Sequence, residues 1–365
     1  MTGHKPADLK RGWTTGACAT AGAKAAFHAL ATGEFSDPVE ISLPKGGTTD
    51  FILTSHELGP DWASATITKD AGDDPDVTHG ALITTTVRLK ADGKGIRFKA
   101  GRGVGTVTRP GLPIPPGEPA INPVPRQMIE TAIREVTTET GLAGDVEVEI
   151  AIEGGEELAL KTLNPRLGIV GGLSVLGTTG IVRPFSCAAW IASIHRGIDV
   201  ARAIHLTHVV GATGASSEDA VRARYADLPD AAYLDMGDFA GGMLKYLRAH
   251  PVQRLTMAGG FAKFTKLAQG ALDLHSARSQ VDFQFLAGLL AEAGAPESLQ
   301  ERALCANTAK EVLDTAAAEK VDLAGLLAAK TKTAVRTILR TAPIDLEVLI
   351  VDRGGTAIGV AGFDD

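Results

Sequence analysis

A glycine-rich apolar block near the middle of the chain constrains the fold more than any other feature. Between Arg166 and Arg183 lie sixteen uncharged residues, most of them Gly, Val, Ile and Leu. The β-branched side chains favour a buried strand, whereas the glycines leave backbone that another group can approach closely. The run is shorter than the roughly 20 residues of a bilayer helix, and glycine is a poor helix former. We therefore predict a buried strand followed by a ligand-binding turn.

The composition predicts a cytoplasmic protein that binds a small molecule. With 365 residues and 44% hydrophobic content, the chain can bury a large core, and its length suggests two domains. Residues 1–10 lack the apolar core of a signal peptide. Three widely spaced cysteines indicate reduced thiols and no zinc site. A net charge of -7 and 5% aromatic content argue against nucleic-acid binding.

The first part of the chain, residues 1–155, is predicted to be an α+β domain with a mainly antiparallel sheet. The alanine-rich residues 14–30 should form a helix that begins at Thr14 or Thr15 and ends at Gly33. Its small side chains would allow neighbouring backbone or a flat ligand to lie against it. A second helix should begin at Pro125, and strands are predicted at residues 39–43, 51–55, 63–68, 82–89, 96–99 and 145–153.

In residues 156–365 the pattern changes to strand, glycine turn and helix, repeated. This alternation predicts right-handed crossovers and a Rossmann-like, doubly wound parallel sheet with a helical C-terminal segment. Strands are predicted at residues 167–170, 207–210, 232–236, 254–257 and 347–352, and helices at 188–201, 217–225, 239–249, 283–329 and 333–340. Ligands of such sheets bind beyond the carboxyl ends of the strands.

Small and hydroxylated residues follow several of these strands. Such turns at one edge of a sheet favour a nucleotide-like cofactor. Neither G-x-x-x-x-G-K-[ST] nor G-x-G-x-x-G stands at the expected place. The predicted cofactor-binding residues are Gly177, Thr178, Thr179, Gly211, Thr213, Gly214, Gly237 and Asp238.

Basic residues in this acidic chain could bind the carboxylates of a ligand. Lys10 and Arg11 lie near the start, and Lys263 and Lys266 follow a predicted strand end. His275 lies further on and could take or hold a proton near neutral pH. A solvated basic helix with a structural histidine would have the same spacing.

The acidic segment of residues 69–80 lacks the spacing of a calcium loop. We interpret it as a loop that closes over a substrate or as a plain acidic turn. His205 and His208 lie three residues apart on a predicted strand and would point to opposite faces. The sequence therefore predicts no protein-bound metal.

Several segments, in order, resemble the cobalt-precorrin-5B C-1-methyltransferases of the anaerobic cobalamin pathway, the CbiD family. They extend from Lys10 to about Asp282 and read RGWTTGACATAGAKAA, KDAGDDPDVTHGA, GRGVGTVTRPGL with PAINPVPRQMI, NPRLGIVGGLSVLGTTGIVRP, and KLAQGALDLHS. The resemblance implies methyl transfer from S-adenosylmethionine to a ring carbon of a cobalt-containing tetrapyrrole. Cobalt would arrive with the substrate.

The resemblance also implies how the work is divided along the chain. Residues 1–155 would form the substrate side and residues 156–365 the cofactor side. Where we expect an acidic pair after Pro-x-Ser, this chain has Cys187 and Ala188, so His275 remains the candidate catalytic residue. The predicted substrate-binding residues are Lys10, Arg11, Thr14, Thr15, Lys69, Asp70, Lys263 and Lys266.

Two other functions stay open at this point. A nicotinamide-dependent reductase of a tetrapyrrole intermediate would suit the doubly wound half but lacks its fingerprint. A non-catalytic corrinoid carrier would have little need for a second cleft lined with glycine turns. The sequence predicts no membrane partner and leaves open a homo-oligomer.

Overall fold

The chain divides after Ser186, later than the boundary that the sequence predicts. The structure, a computed structural model, describes residues 9–364, and its two compact units are Met1–Ser186 (unit 1) and Cys187–Asp365 (unit 2). Residues 156–186 belong to unit 1 because their short strands pair with other strands of that unit. Both units are mixed α/β, with strand pairs of both orientations.

Unit 1 contains three helices and thirteen strands within its described residues. The helices are α1 (Thr15–Thr32), α2 (Pro123–Thr140) and α3 (Gly155–Ala159). The strands are β1 (Gly12–Trp13), β2 (Val39–Ser42), β3 (Thr48–Phe51), β4 (Ser55–Leu58), β5 (Trp62–Thr68), β6 (Leu82–Leu89), β7 (Ile96–Ala100), β8 (Gly103–Val104), β9 (Thr106–Val107), β10 (Val146–Ile152), β11 (Ile169–Val170), β12 (Gly172–Leu173) and β13 (Ile181–Val182).

The main sheet of unit 1 has the order β4-β5-β6-β10-β7. Its pairs are antiparallel except for β10 and β7, which run parallel. Alternate residues of β6 and β10 are buried, as the alternating sequence predicts, and α1 packs on β5 and β6. A Cβ atom on Gly22 would lie 3.0 Å from the carbonyl oxygen of Ala65. The small residues of α1 therefore admit the backbone of the sheet.

Unit 2 contains eight α-helices, one 3-10 helix at Asp230–Ala232 and five strands within its described residues. The helices are α4 (Cys187–Ala203), α5 (Ala215–Arg224), α6 (Ala240–Ala249), α7 (Phe261–Ala268), α8 (Phe283–Glu292), α9 (Glu297–Leu304), α10 (Ala309–Ala318) and α11 (Leu323–Leu339). The strands are β14 (His208–Ala212), β15 (Tyr233–Asp235), β16 (Arg254–Gly260), β17 (Asp345–Val351) and β18 (Ala357–Ala361).

The sheet of unit 2 has the order β15-β14-β16-β17-β18. The first four strands are parallel, and β18 pairs antiparallel with β17. Apolar residues on the two faces belong to separate clusters. Val221 of α5 packs on one face with Val210, while α4, α6 and α7 pack on the other with Val209. Helices thus cover both faces of a mainly parallel sheet.

One predicted strand of this sheet is wrong. Within residues 167–170, only Ile169–Val170 is a strand, and it pairs antiparallel with β9 in unit 1. The predicted strand at residues 51–55 is also wrong, because β3 ends at Phe51 and β4 begins at Ser55. None of the helices in residues 9–364 is long and apolar enough to cross a membrane. The segment 1–8, which carries most of the signal-peptide argument, lies outside the described residues.

Candidate functional site

The candidate site lies in unit 2, where β14 and β16 end side by side. From β14 the chain crosses to β15 on one side, whereas from β16 it crosses to β17 on the other side. Connections that leave adjacent strand ends in opposite directions create a crevice, which is where parallel sheets of this kind bind ligands. The turns after β14, β15 and β16 line this edge.

Two helices begin at this edge without a side-chain cap. Helix α5 follows Gly214 and helix α7 follows Gly260, and neither cap residue supplies a side-chain hydrogen bond. The first backbone N–H groups of a helix have no partner within the helix and carry a partial positive charge. The two helix starts therefore favour an anionic group such as a carboxylate.

Both cap glycines face open space. A Cβ atom on Gly214 would meet no atom within 4 Å, and one on Gly260 would lie 4.0 Å from the carbonyl oxygen of Val351. A ligand can therefore approach the backbone at these two turns. Gly260 was not among the predicted cofactor residues, although its glycine pair at the end of β16 gives a sequence signal for it.

Two other predicted cofactor glycines are packed against side chains. A Cβ atom on Gly211 would lie 2.5 Å from Cε of Met243, and one on Gly237 would lie 3.2 Å from the ring of Trp190. Gly211 thus makes room for the hydrophobic core. We correct its predicted cofactor role, because Met243 fills the space that a ligand would need.

Lys263 and Asp238 form the charged part of the edge. Nζ of Lys263 lies 3.0 Å from Oδ1 of Asp238 and donates a 3.0 Å hydrogen bond to the carbonyl oxygen of Thr213. The ion pair lacks hydrogen-bond alignment, and Oδ1 is buried without a donor among the described residues. Oδ1 therefore faces the Lys263 ammonium, and a ligand can reach the exposed part of the Asp238 side chain, which is 23% exposed.

Thr213 is buried, and its backbone groups take part in the hydrogen bonds of this edge. Its N–H donates to the carbonyl oxygen of Ala258 and to Oγ of Ser217, at 3.1 Å and 3.2 Å. Oγ of Ser217 in turn donates to the carbonyl oxygen of Gly214 at 2.8 Å. Ser217, which sequence reasoning missed, fixes the turn that opens α5.

Lys266 is predicted to bind substrate, which requires an accessible ammonium group, but the structure buries it. It is buried, and Nζ donates to the carbonyl oxygens of Leu274 and Ser279, the latter at 3.4 Å. Burial lowers the pKa of Lys266, since an ammonium group loses hydration there. Its role is to hold the loop that follows α7, so the predicted contact with substrate is corrected.

His275 lies in that loop, close to the turn after β15. The N–H of Leu274 donates to the carbonyl oxygen of Asp238 at 2.8 Å, which ties the loop to the edge. The His275 residue is exposed, and Nδ1 accepts from the N–H of Ala277 at 3.2 Å. Nε2 therefore carries the proton of the neutral ring.

Cys187, which stands where the family resemblance predicts an acidic residue, has a basic neighbour. Sγ of Cys187 lies 3.1 Å from Nη2 of Arg278, and Arg278 also pairs with Asp273. Both hydrogen bonds raise the pKa of Arg278. Arg278 thus links the Cys187 thiol to the Asp273 carboxylate and fixes the other end of the His275 loop.

Gly177, Thr178 and Thr179 belong to unit 1, whereas the other predicted cofactor residues belong to unit 2. The N–H groups of Thr14 and Gly16 donate to the carbonyl oxygens of Gly180 and Leu176 at 3.0 Å and 2.9 Å. A Cβ atom on Gly177 would collide with Oγ1 of Thr14. The glycine-rich block therefore packs on the start of α1.

The predicted substrate residues of unit 1 are mostly engaged within the protein. Thr14 accepts from the N–H of Ala17 at 3.2 Å, and Thr15 is buried. Nζ of Lys10 lies 2.6 Å from Oδ2 of Asp70, and this partner lowers the pKa of the Asp70 carboxyl.

Lys69 is buried, and its ammonium group bonds to Asp76 and Thr78. Its predicted contact with substrate is therefore corrected, because both partners lie inside the acidic loop. Arg11 is exposed. Residues 9–364 contain no group of three or more His, Cys, Asp or Glu arranged to hold a metal ion.

Comparison with known proteins identifies the family. The family model described as CbiD matches residues 2–184, and the model for its C-terminal domain matches residues 273–362. A relative from Brucella anthropi named cobalt-precorrin-5B C(1)-methyltransferase is 61% identical over 97% of this chain and 96% of its own length. The chain belongs to the CbiD family. The resemblance that the sequence motifs indicate is thereby confirmed.

A second relative agrees with this assignment. A Brucella canis protein of the same name is 60% identical over 96% of this chain and 95% of its own length. The crystal structure of a cobalamin biosynthesis protein (CbiD) from Archaeoglobus fulgidus is 27% identical and covers 74% of this chain and 83% of that chain, with a TM-score of 0.40. The first CbiD model ends close to the boundary between units 1 and 2.

Proposed function

We propose that this chain transfers a methyl group from S-adenosylmethionine to C-1 of cobalt-precorrin-5B in cobalamin biosynthesis. The observation that carries the proposal is the 61% identity, over nearly the full chain, to a relative with that methyltransferase name. The cobalt ion belongs to the substrate. Nucleic acid and membrane have no part in the reaction, and reduced thiols favour the cytoplasm.

Unit 2 is assigned to the methyl donor. Parallel strands joined by helices on both faces support its description as a Rossmann-like, doubly wound domain. The open turns at Gly214 and Gly260 leave room for the donor. Its carboxylate would bind at the starts of α5 and α7 near Lys263, and its hydroxyl groups would donate to the part of the Asp238 carboxylate that is exposed, since that side chain is 23% exposed.

S-adenosylmethionine supplies both the methyl group and its own leaving group. The residues of the edge therefore need only hold the donor in one orientation, and alignment of this kind can lower a barrier by roughly 7–11 kcal/mol. His275 would take a proton at Nδ1, which must first give up the hydrogen bond from the N–H of Ala277, while Nε2 keeps its own proton and can donate it in a hydrogen bond. Lys266 keeps its loop against the Asp238 turn.

Unit 1 is assigned to the tetrapyrrole. The glycine-rich block and the start of α1, two of the segments that resemble the family, meet there. Among the cations of unit 1 that are predicted to bind substrate, Lys10 and Lys69 pair with carboxylates. Arg11 forms no ion pair with a carboxylate of residues 9–364. A tetrapyrrole that carries carboxylate side chains would supply the missing negative charge.

A multiple-turnover assay tests this function. The purified chain is incubated with S-adenosylmethionine and an excess of cobalt-precorrin-5B, and S-adenosylhomocysteine is measured by mass spectrometry. We expect many equivalents per chain and a product that is one methylene group heavier. A corrinoid carrier would form no S-adenosylhomocysteine, and a reductase would bind NADPH and oxidise it. Either of those results would contradict the proposal.

A further inference from the structure

Two exposed arginines, Arg11 and Arg183, flank the same strand pair of unit 1. Strands β1 and β13 pair antiparallel, with Gly12 opposite Val182 and Trp13 opposite Ile181. Continuing this register by one residue sets Arg11 opposite Arg183, on the same face of the ribbon. Both arginines are exposed. Their guanidinium groups therefore share one stretch of surface.

Neither guanidinium group has a counter-ion among residues 9–364. On the other side of β1, Arg11 bridges to Gly72, which has no side chain to offer. The neighbouring Asp70 is taken by Lys10, and Asp73 accepts from the N–H of Lys10. Like charges directly opposite each other on paired strands are destabilising. Without a bound anion, the repulsion between Arg11 and Arg183 therefore lowers the stability of unit 1.

An exposed aromatic ring follows the pair. Phe185 is 67% exposed and has a φ angle of 55°, a conformation that is uncommon for a residue other than glycine. Its N–H donates to Oδ1 of Asp74 at 2.8 Å, which holds this backbone in place. Strained residues persist where the surrounding structure fixes them, and they concentrate at ligand sites.

We infer that Arg11 and Arg183 together bind a carboxylate side chain of the tetrapyrrole acceptor, with the ring of Phe185 beside it as an apolar contact. The identity of this ligand rests on the proposed function. Guanidinium groups bind carboxylates through paired, charge-assisted hydrogen bonds. A carboxylate between the two arginines would neutralise their repulsion and would fix one edge of the macrocycle on unit 1. Arg183 was not among the predicted substrate residues.

Titration of the full chain with uroporphyrin, an octacarboxylate tetrapyrrole, tests this site. The variants are Arg11→Gln, Arg183→Gln and the double variant, and the matched control is Arg134→Gln, an exposed arginine on α2. We expect each single variant to raise the Kd for uroporphyrin roughly tenfold and the double variant to raise it further, because charged hydrogen bonds are lost. The control should leave it within about twofold.

Thermal unfolding gives a second readout that does not depend on activity. Without ligand, Arg11→Gln and Arg183→Gln should melt at or above the wild-type temperature, since one of two like charges is removed. The increase in Tm that uroporphyrin gives to the wild type should shrink in both. Variants that bind uroporphyrin as tightly as Arg134→Gln would overturn the inference.

Methyl transfer separates this inference from the proposed function. If the wild type forms S-adenosylhomocysteine with its acceptor but Arg11→Gln and Arg183→Gln keep the wild-type KM for that acceptor, the arginine site is wrong and the function stands. If the wild type forms none, the function is wrong, and the uroporphyrin titration still decides whether the two arginines bind carboxylates.

Discussion

Nζ of Lys263 lies 3.0 Å from Oδ1 of Asp238, so one ion pair joins the first turn of α7 to the turn after β15. The same ammonium group donates to the carbonyl oxygen of Thr213 at the end of β14. One side chain thus connects three strand ends at the candidate site. Because the Lys263 and Asp238 side chains are 36% and 23% exposed, a ligand can reach both.

Replacement of Lys263 tests the charge at this edge. We expect Lys263→Met to raise the Kd for S-adenosylhomocysteine roughly 10- to 100-fold, since a charged hydrogen bond contributes about 1.5–3 kcal/mol. Isothermal titration measures this value. Lys330→Met is the matched control, because Lys330 is 38% exposed and pairs with Glu292 at 2.8 Å. Equal affinity in the two variants would place the donor elsewhere.

The open turn at Gly260 permits a steric test without backbone strain. Gly260 has φ -71° and ψ 152°, which any residue can adopt, so Gly260→Val should fold and melt near the wild-type temperature. Its side chain would occupy the space assigned to the donor and should weaken binding of S-adenosylhomocysteine at least tenfold, by roughly 1–3 kcal/mol of overpacking. Gly288→Val, at an exposed position of α8 with no atom within 4 Å, serves as the control. Wild-type affinity in Gly260→Val would show that the turn is not part of the donor site.

His275 should affect turnover more than binding. We expect His275→Ala to lower kcat roughly 100-fold, in the range of lost general acid–base catalysis, with the Kd for S-adenosylhomocysteine unchanged. Rapid-quench measurement of methyl transfer gives kcat, and Ser276→Ala, at the adjacent exposed position, is the control. An unchanged kcat would remove the histidine from the reaction.

Local sequence signals predicted the regular elements best. Helix α1 begins one residue after Thr14 and has its C-cap at Gly33, as predicted, because cap residues act within one turn. Strand β6 matches its prediction because its side chains alternate between the two faces. The glycine-rich block has no such period. Its short strands pair with strands distant in sequence, such as β8 and β9. The local sequence therefore predicts neither the pairing of these strands nor the boundary between the two units.

The candidate site was predicted in outline only. Glycine turns predicted a site at the strand ends of Gly214 and Asp238, because ligands of parallel sheets bind at such ends, and this stays a prediction. A sequence does not show which cations are buried. Lys69 and Lys266 resembled free cations, yet they are 3% and 6% exposed. Nor does it show that Met243 fills the space beside Gly211.

A buried carboxylate stabilises the opposite part of the unit 2 sheet. Glu347 is 1% exposed, pairs with Arg224 at 2.8 Å, and accepts from Thr256 and Tyr225. Glu347→Gln should lower the free energy of unfolding by roughly 1–3 kcal/mol, because charged partners lose their acceptor. The midpoint of urea unfolding measures it, with the exposed pair variant Asp314→Asn as control. Equal midpoints would contradict this role.

His208 should make unit 2 less stable at acidic pH. Burial lowers the pKa of His208, and Nε2 lies 2.8 Å from Oγ1 of Thr256. The unfolded chain therefore binds a proton more readily than the folded chain. Stability from this group is present above the unfolded pKa of about 6.5 and is lost as the pH falls through the lowered folded pKa.

We expect His208→Gln to reduce the fall in Tm between about pH 7.5 and pH 5.5. Other titrating groups contribute equally to the wild type and the variant, so the difference between the two slopes isolates His208. A slope that stays the same in the variant would show that His208 titrates alike in the folded and unfolded chain.

A crystal structure of the full chain with S-adenosylhomocysteine tests the account most directly. We predict electron density for the ligand at the ends of β14 and β16, with its carboxylate at the first N–H groups of α5 and α7 and a hydroxyl group on Asp238. Density for the ligand at any other place, with the turns at Gly214 and Gly260 free of it, would contradict the donor site proposed for unit 2.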